Sequence, residues 1–284
     1  MEKMLVTPEE MARHLDDPAW VAFDVRHDLA DPQAGRKAYA EGHIPGAYFL
    51  HTDEDLSGPK AGRNGRHPLP DVRAFAERIA RSGVGPETQV VVYDAMGGSF
   101  AARLWWMLRW LGHDRVALLD GGWPAWVGEG RPVSRETPPE RSGSFAPRPR
   151  LGATVDAAFV ERFRKDANVR VVDARAPARY SGEQEPIDPV AGHVPGAVNR
   201  PWQQNLAPDG RFKAAPALRG EWTAALGGVE ASKSVHMCGS GVTACHNLFA
   251  LALSGFGEAR LYPGSWSEWC ADPARPVATG RDPG

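Results

Sequence analysis

The sequence predicts an α/β protein of two tandem domains, each a mainly parallel sheet flanked by helices. Three observations carry that prediction. Short Val-rich runs alternate with stretches of helical length, as in sheets whose strands are buried on both faces. A set of motifs recurs about 143 to 150 residues further on, a spacing too long for a solenoid repeat and right for a duplicated domain. A glycine-rich segment, CGSGVTAC from Cys238 to Cys245, joins a strand candidate to a helix candidate in the second copy.

The elements follow in chain order. Thr7, Pro8 and Glu10 make a helix start with a cap, a first-turn proline and a capping-box partner. Val21–Val25, Gln89–Tyr93 and Val116–Leu119 are the strand candidates of the first copy, and Asp71–Ser82 and Phe100–Leu111 have helical length and composition. In the second copy the strand candidates are Val169–Asp173, Ser234–Met237 and Ala259–Tyr262, and Val242–Phe256 has the length and apolar content of a buried helix. Between the copies, RPVSRETPPERSGSFAPRPR is rich in Pro, Arg and Ser without apolar periodicity, so it reads as an extended linker. The expected division is a first domain at 1–132, a linker at 133–152 and a second domain at 153–284.

The repeats are specific. GHIPGA (Gly42–Ala47) returns as GHVPGA (Gly192–Ala197), FDVR ending at Arg26 as VDAR ending at Arg175, and DGGWPAW (Asp120–Trp126) as PGSWSEW (Pro263–Trp269). Aligning QVVVYD with KSVHMC puts Asp94 opposite Cys238. The first copy therefore has the loop but no thiol, and its expected role is structural and cleft-forming. His43 and His193 recur in both copies, which argues for a hydrogen bond in a turn rather than for catalysis. Trp105, Trp106, Trp266 and Trp269 read as packing.

Composition narrows the function. A chain of 284 residues with 42% hydrophobic content can build two ordinary cores, and a formal charge of −2 makes no electrostatic case for nucleic acid or an acidic membrane surface. A small-molecule substrate is the better expectation. The charged N-terminus lacks the apolar core of a signal peptide, and no run approaches the ~18 apolar residues of a membrane span. Three cysteines cannot form a disulfide framework and suit a reducing compartment. A cytoplasmic protein is expected.

Chemistry concentrates at Cys238. The strand Ser234–Met237 delivers it to a turn where Gly239 and Gly241 can take positive φ and point backbone N–H groups inward, a nest for an anion. The positive end of the following helix faces the same point. Both effects favour the thiolate, so the loop reads as the seat of a sulfur nucleophile. Cysteine-dependent phosphatases share the strand–loop–helix layout, but close the loop with an Arg six positions after the Cys, where this chain has Ala244. A zinc site from His236, Cys238, Cys245, His246 and Cys270 lacks CxxC or HExxH spacing. Cys245 reads as a packed helix residue, and Cys270 has no assigned role.

The octet at Cys238 resembles the active-site loop of the rhodanese superfamily, most closely that of the 3-mercaptopyruvate sulfurtransferases. YAEGHIPGAYFL (Tyr39–Leu50) is similar to the signature near the start of that fold, and ARLYPGSWSEW (Ala259–Trp269) to the one near its end. The resemblance implies two similar domains with the active site between them, no metal or organic cofactor, and sulfur transfer through a Cys238 persulfide. The donor implied is 3-mercaptopyruvate, with pyruvate leaving as its enolate, and the acceptor is cyanide or a thiol such as that of thioredoxin. Gly239, Gly241, Val242 and Thr243 then bind the substrate through loop amides, and Ser240 meets the enolate charge. Thiosulfate-preferring members carry basic residues at the loop's second and third positions, where this chain has neutral Gly239 and Ser240.

Arg179, by itself equally a solvated surface arginine, matches an arginine that binds the mercaptopyruvate carboxylate. Many relatives carry a second arginine shortly before the second GHxPG motif, where this chain has Ile187 or a neighbour, so that cation is expected to be absent. Arg175 and Arg200 are candidates to compensate, although Arg175 can simply neutralise Asp173. Asp53 and His67 match positions with roles in substrate polarisation or proton transfer; taken alone they are also ordinary loop-capping residues. Two alternatives stand: a thiosulfate:cyanide sulfurtransferase, and a rhodanese-type sulfur-carrier or protein-interaction module, against which the retained thiol speaks.

Overall fold

The computed structural model, which describes residues 3–284, holds two wholly parallel sheets. The chain divides into two units. The first comprises the chain up to Gly58, Leu69–Arg150 and Pro208–Phe212; the second comprises Pro59–Pro68, Leu151–Ala207 and Lys213–Gly284.

In the first unit the chain runs β1 (Leu5–Val6), α1 (Pro8–Arg13), β2 (Trp20–Asp24), α2 (Ala34–Glu41), β3 (Tyr48–Phe49), α3 (Val72–Ala80), β4 (Gln89–Tyr93), α4 (Ala101–Trp110), β5 (Val116–Leu119) and α5 (Gly122–Gly128). The strand order is β1-β5-β4-β2-β3. Thr7 caps α1 by accepting from the Glu10 amide at 3.2 Å. The Glu10 carboxylate bonds Lys3 instead of reaching back, so only half of the expected capping box forms. Asp71 caps α3 through the amides of Arg73 and Ala74.

In the second unit the order along the chain is α6 (Ala157–Phe163), β6 (Arg170–Asp173), α7 (Pro177–Ser181), β7 (Val198–Asn199), α8 (Ala215–Leu226), β8 (Ser234–Met237), α9 (Ala244–Leu253), β9 (Arg260–Leu261) and α10 (Ser265–Trp269). Its sheet runs β7-β6-β8-β9. Both faces are covered. Val235 and Met237 of β8 pack with Tyr180, Trp266 and Trp269 on one side, while Val172 of β6 packs with Leu218, Trp222 and Leu251 on the other. Each fully buried Val or Leu of this kind contributes about 1.5–3 kcal/mol, and burial on two faces is why these strands read as continuous apolar runs.

The repeated motifs meet in each unit. Arg26 pairs with Asp24, donates to the Gly42 carbonyl and lies 4.4 Å over the Trp123 ring. Arg175 repeats this with Asp173, the Gly192 carbonyl and Trp266, at 4.7 Å. FDVR, GHIPGA and the tryptophan motif are thus one buried clip, built twice. His43 and His193 belong to it: each is buried, stacks on a tyrosine and has Nδ1 2.8 Å from that tyrosine's carbonyl oxygen.

Residues 133–150, the greater part of the linker expected at 133–152, carry no helix or regular strand. They are chain laid along the first unit: Ser134 and His43 exchange both backbone hydrogen bonds, and the Arg141 amide donates to the Arg81 carbonyl at 2.8 Å. The segments that the units exchange, 59–68 and 208–212, have no counterpart in the expected division.

Candidate active site

β8 ends at Met237, and Cys238 follows, 2% exposed, at the mouth of the loop that enters α9. Gly241 takes the left-handed conformation, φ +79°, and a Cβ there would stand 2.4 Å from the Pro263 carbonyl oxygen. Its amide points back at the Cys238 sulfur, 3.1 Å away. Gly239 differs from expectation, because its φ is not positive. Two guanidinium groups converge on the space beside it: an ideal Cβ would lie 2.8 Å from Arg66 Nη2 and 3.3 Å from Arg179 Nη1.

The last repeated motif clamps this loop. The Cys238 amide donates to Ser265 Oγ at 3.1 Å, and the amides of Trp266 and Ser267 donate to the carbonyls of Cys238 and Gly239 at 3.0 and 2.9 Å. Cys245 faces away from the sulfur chemistry, fully buried in α9 with its thiol donating to the Gly241 carbonyl at 3.3 Å. α9 begins at Ala244, two residues later than its apolar run, because residues 242 and 243 still belong to the turn.

The first unit shows what such a loop binds. The Asp94 carboxylate, at the position of Cys238, accepts the amides of Met96, Gly98, Phe100 and Ala101 at 2.7 to 2.9 Å. The backbone geometry is an anion cradle, filled there by the chain's own carboxylate. In the second unit the amides of Ser240, Val242 and Thr243 donate to no protein acceptor among the described residues.

His67 lies in the 59–68 segment of the second unit, and its Nδ1 is 2.7 Å from Ser240 Oγ in a buried contact. That segment is seated by close packing. A Cβ on Gly65, φ +83°, would meet the Gly264 carbonyl oxygen at 2.7 Å, and the Arg66 amide donates to Ser267 Oγ at 3.0 Å. Arg179 is not a solvated arginine. Its Nε and Nη2 donate to Glu185 at 2.7 to 3.2 Å, Nη2 also donates to Asp188 at 3.0 Å, and Nη1 is its atom nearest the site of a Gly239 side chain. Arg66 pairs with Asp188 through Nη1 and turns Nη2 to the same spot.

Before the second GHxPG motif stands Ile187, 44% exposed, and no arginine; a second guanidinium, not singled out from the sequence, reaches the loop from Arg66 instead. Arg66 was legible only as the neighbour of His67 in RHPLP, since nothing local tells an arginine which distant loop it faces. Arg175 and Arg200 do not compensate. Arg175 is spent on its buried clip, and Arg200 pairs with Glu221 and lies over Trp222.

Asp53 belongs to the first unit, with its carboxylate 3.9 Å from His27 Nε2. Among the described residues, His27, His51 and Asp53 bring three possible metal-ligand atoms within 4.8 Å of one another; none is on the Cys238 loop. His51 has both ring nitrogens engaged, Nε2 with the Pro32 carbonyl and Nδ1 with the Asp53 amide. Burial pushes the Cys270 thiol up to about 11, so it stays protonated at neutral pH. No helix among the described residues is long and apolar enough to cross a membrane.

Residues 7–129 and 156–272 each match the family described as Rhodanese-like domain. The chain belongs to the rhodanese family. This rhodanese is 47% identical over 278 residues to a probable 3-mercaptopyruvate sulfurtransferase of Pseudomonas aeruginosa, covering 97% of this chain and 98% of the relative. It is 38% identical to a putative thiosulfate sulfurtransferase of Mycobacterium tuberculosis, covering 98% of each. Among solved structures it is similar to the 3-mercaptopyruvate enzyme of Escherichia coli, with a TM-score of 0.81 and 30% identity over 93% of this chain and 99% of the other. Rhodanese-like domains in two copies, with parallel sheets flanked by helices, are therefore the architecture of this chain.

Proposed function

We propose that this rhodanese is a sulfurtransferase that takes sulfur from 3-mercaptopyruvate through a persulfide on Cys238. The reading is carried by one arrangement: a thiol in an amide-lined loop, with the guanidinium groups of Arg66 and Arg179 turned to the Gly239 side of that loop. The Cys238 thiolate attacks the donor sulfur, forming the S–S bond of the persulfide. The carbon–sulfur bond breaks, and its electron pair leaves on pyruvate as the enolate. Arg179 and Arg66 hold the carboxylate. With His67 Nδ1 donating to Ser240 Oγ, the serine hydroxyl is free to donate a hydrogen bond to the enolate oxygen, and a proton taken from solvent at C3 gives pyruvate. Cyanide or an acceptor thiolate, of which thioredoxin's is one, then attacks the outer sulfur and returns the Cys238 thiolate. Gly241, Val242 and Thr243 stabilise the persulfide through their amides. Asp53 is proposed to take part in substrate polarisation or proton transfer, on the family resemblance alone. A cytoplasmic setting agrees with three free cysteines.

A second donor has its own support. Thiosulfate-preferring relatives carry a cation on the loop, and here the Arg66 guanidinium stands beside Gly239, which gives thiosulfate a partner too. Steady-state kinetics with both donors and cyanide decides between them. The expected ratio of kcat/KM for mercaptopyruvate over thiosulfate exceeds one, and a large thiosulfate preference overturns the donor assignment.

A further inference from the structure

We propose that Asp188 is a positioning residue for the sulfur donor, bridging Arg66 and Arg179 so that each guanidinium presents a nitrogen to the loop beside Cys238. This rests on the donor reading above.

Asp188 has a side chain only 3% exposed, and its two oxygens go to different arginines: Oδ1 to Arg66 Nη1 and Oδ2 to Arg179 Nη2. The arginines are not equally anchored. Arg179 also has the fork of Glu185, which accepts its Nε and Nη2 and in turn accepts the amides of Ile187 and Asp188, shaping the turn that carries Asp188. Arg66 is 24% exposed in its side chain, and Asp188 is the one carboxylate it pairs with among the described residues. A long cation with a single anchor depends on that anchor for its direction.

The edges used decide between positioning and competition. A carboxylate that stood in for the donor would occupy the guanidinium atoms facing the loop. Asp188 instead takes Nη1 of Arg66, leaving Nη2 nearest Gly239, and takes Nη2 of Arg179, leaving Nη1 nearest. The separation is clear for Arg66, whose Nη2 alone is among the atoms nearest the loop; in Arg179 the Nη2 that Asp188 takes lies at 3.5 Å, close to the 3.3 Å of Nη1, so there the two carboxylates share one end of the group. The carboxylate also offsets two adjacent positive charges that would otherwise repel each other.

The test is a kinetic split. Asp188→Asn keeps the shape and removes the charge; with mercaptopyruvate and cyanide, KM should rise by about tenfold while kcat stays within about twofold. Asp188→Glu should recover part of the loss. Arg66→Ala alone should give a similar rise in KM, and adding Asp188→Asn to it should bring less than about a twofold further rise, because the two act as a unit. Asp188→Glu, which keeps the charge and shifts its position, carries the test should the Asn variant fail to fold, with a KM above the wild type's as its expected result. Pyruvate binding by calorimetry should weaken by a similar factor, and this reads carboxylate capture without any sulfur transfer. A wild-type protein that binds pyruvate but transfers no sulfur defeats the functional reading alone. An unchanged or lower KM, unchanged pyruvate affinity, or a fall in kcat at constant KM overturns the role of Asp188.

Discussion

Cys238 is tied on both sides of its own peptide, by Ser265 at the amide and Trp266 at the carbonyl, so the thiol is presented by fixed backbone rather than by a mobile loop. Incubation with donor and no acceptor should add one sulfur, about 32 Da, to the peptide holding Cys238. Cys238→Ser should abolish transfer, and Cys270→Ser should keep most of it. Intact activity in Cys238→Ser sinks the nucleophile assignment. His67→Ala removes the partner of Ser240 and should lower kcat by about 10²-fold with the fold retained, as read by circular dichroism. Wild-type kcat in that variant removes His67 from the chemistry.

At the scale of elements, the loop after β4 and the strand β8 behave in opposite ways. Asp94 is often the kind of residue dismissed as a relic, yet its carboxylate satisfies the amides of Met96, Gly98, Phe100 and Ala101. Asp94→Asn turns an NH2 group toward N–H donors that one oxygen accepted, and each unsatisfied buried group costs about 1–3 kcal/mol. The melting temperature should fall by roughly 5 °C or more, while turnover at 25 °C stays near that of the wild type. An unshifted melting curve disproves the cradle. In β8, His236 is fully buried against Trp222, and burial lowers its pKa to about 3. The unfolded chain binds a proton at about 6.5 that the folded chain refuses. Stability contributed by the neutral ring is thus present above pH 6.5 and lost as pH falls toward 3, by up to about 1.4 kcal/mol per pH unit. Urea unfolding at pH 7, 6 and 5 should show His236→Leu gaining on the wild type as pH drops; parallel curves contradict a neutral buried ring.

For the whole molecule, the consequential feature is membership of the second unit. Residues 59–68, which precede most of the first unit in the chain, carry Arg66 and His67 to the Cys238 loop. A fragment from Thr154 to Gly284 has the nucleophile, the loop and Arg179 but lacks that segment. Its turnover of mercaptopyruvate should fall below about one per cent of the full chain's, on the loss of a proton-transfer partner and a carboxylate contact together. A fragment that folds by circular dichroism and turns over at the full rate shows the segment to be dispensable.

Much of this was written locally. The strands β2, β4, β5, β6 and β8 announce themselves as apolar runs because a parallel sheet buries both faces, and the loop at Cys238 is legible because strand end, glycine and helix start lie within a dozen residues. Two-residue strands such as β1, β3 and β7 carry no periodicity, and only the sheet they join defines them. Gly239 looks the same in sequence whatever stands beside it, and only the tertiary structure shows the guanidinium groups of Arg66 and Arg179 there. The motifs by themselves determined the duplication, the thiol and its missing counterpart at Asp94. The tertiary structure decided which cations reach that thiol, because Arg66 and Cys238 are far apart in the chain and meet only when residues 59–68 are laid against α10, with Asp188 holding the arginine in place.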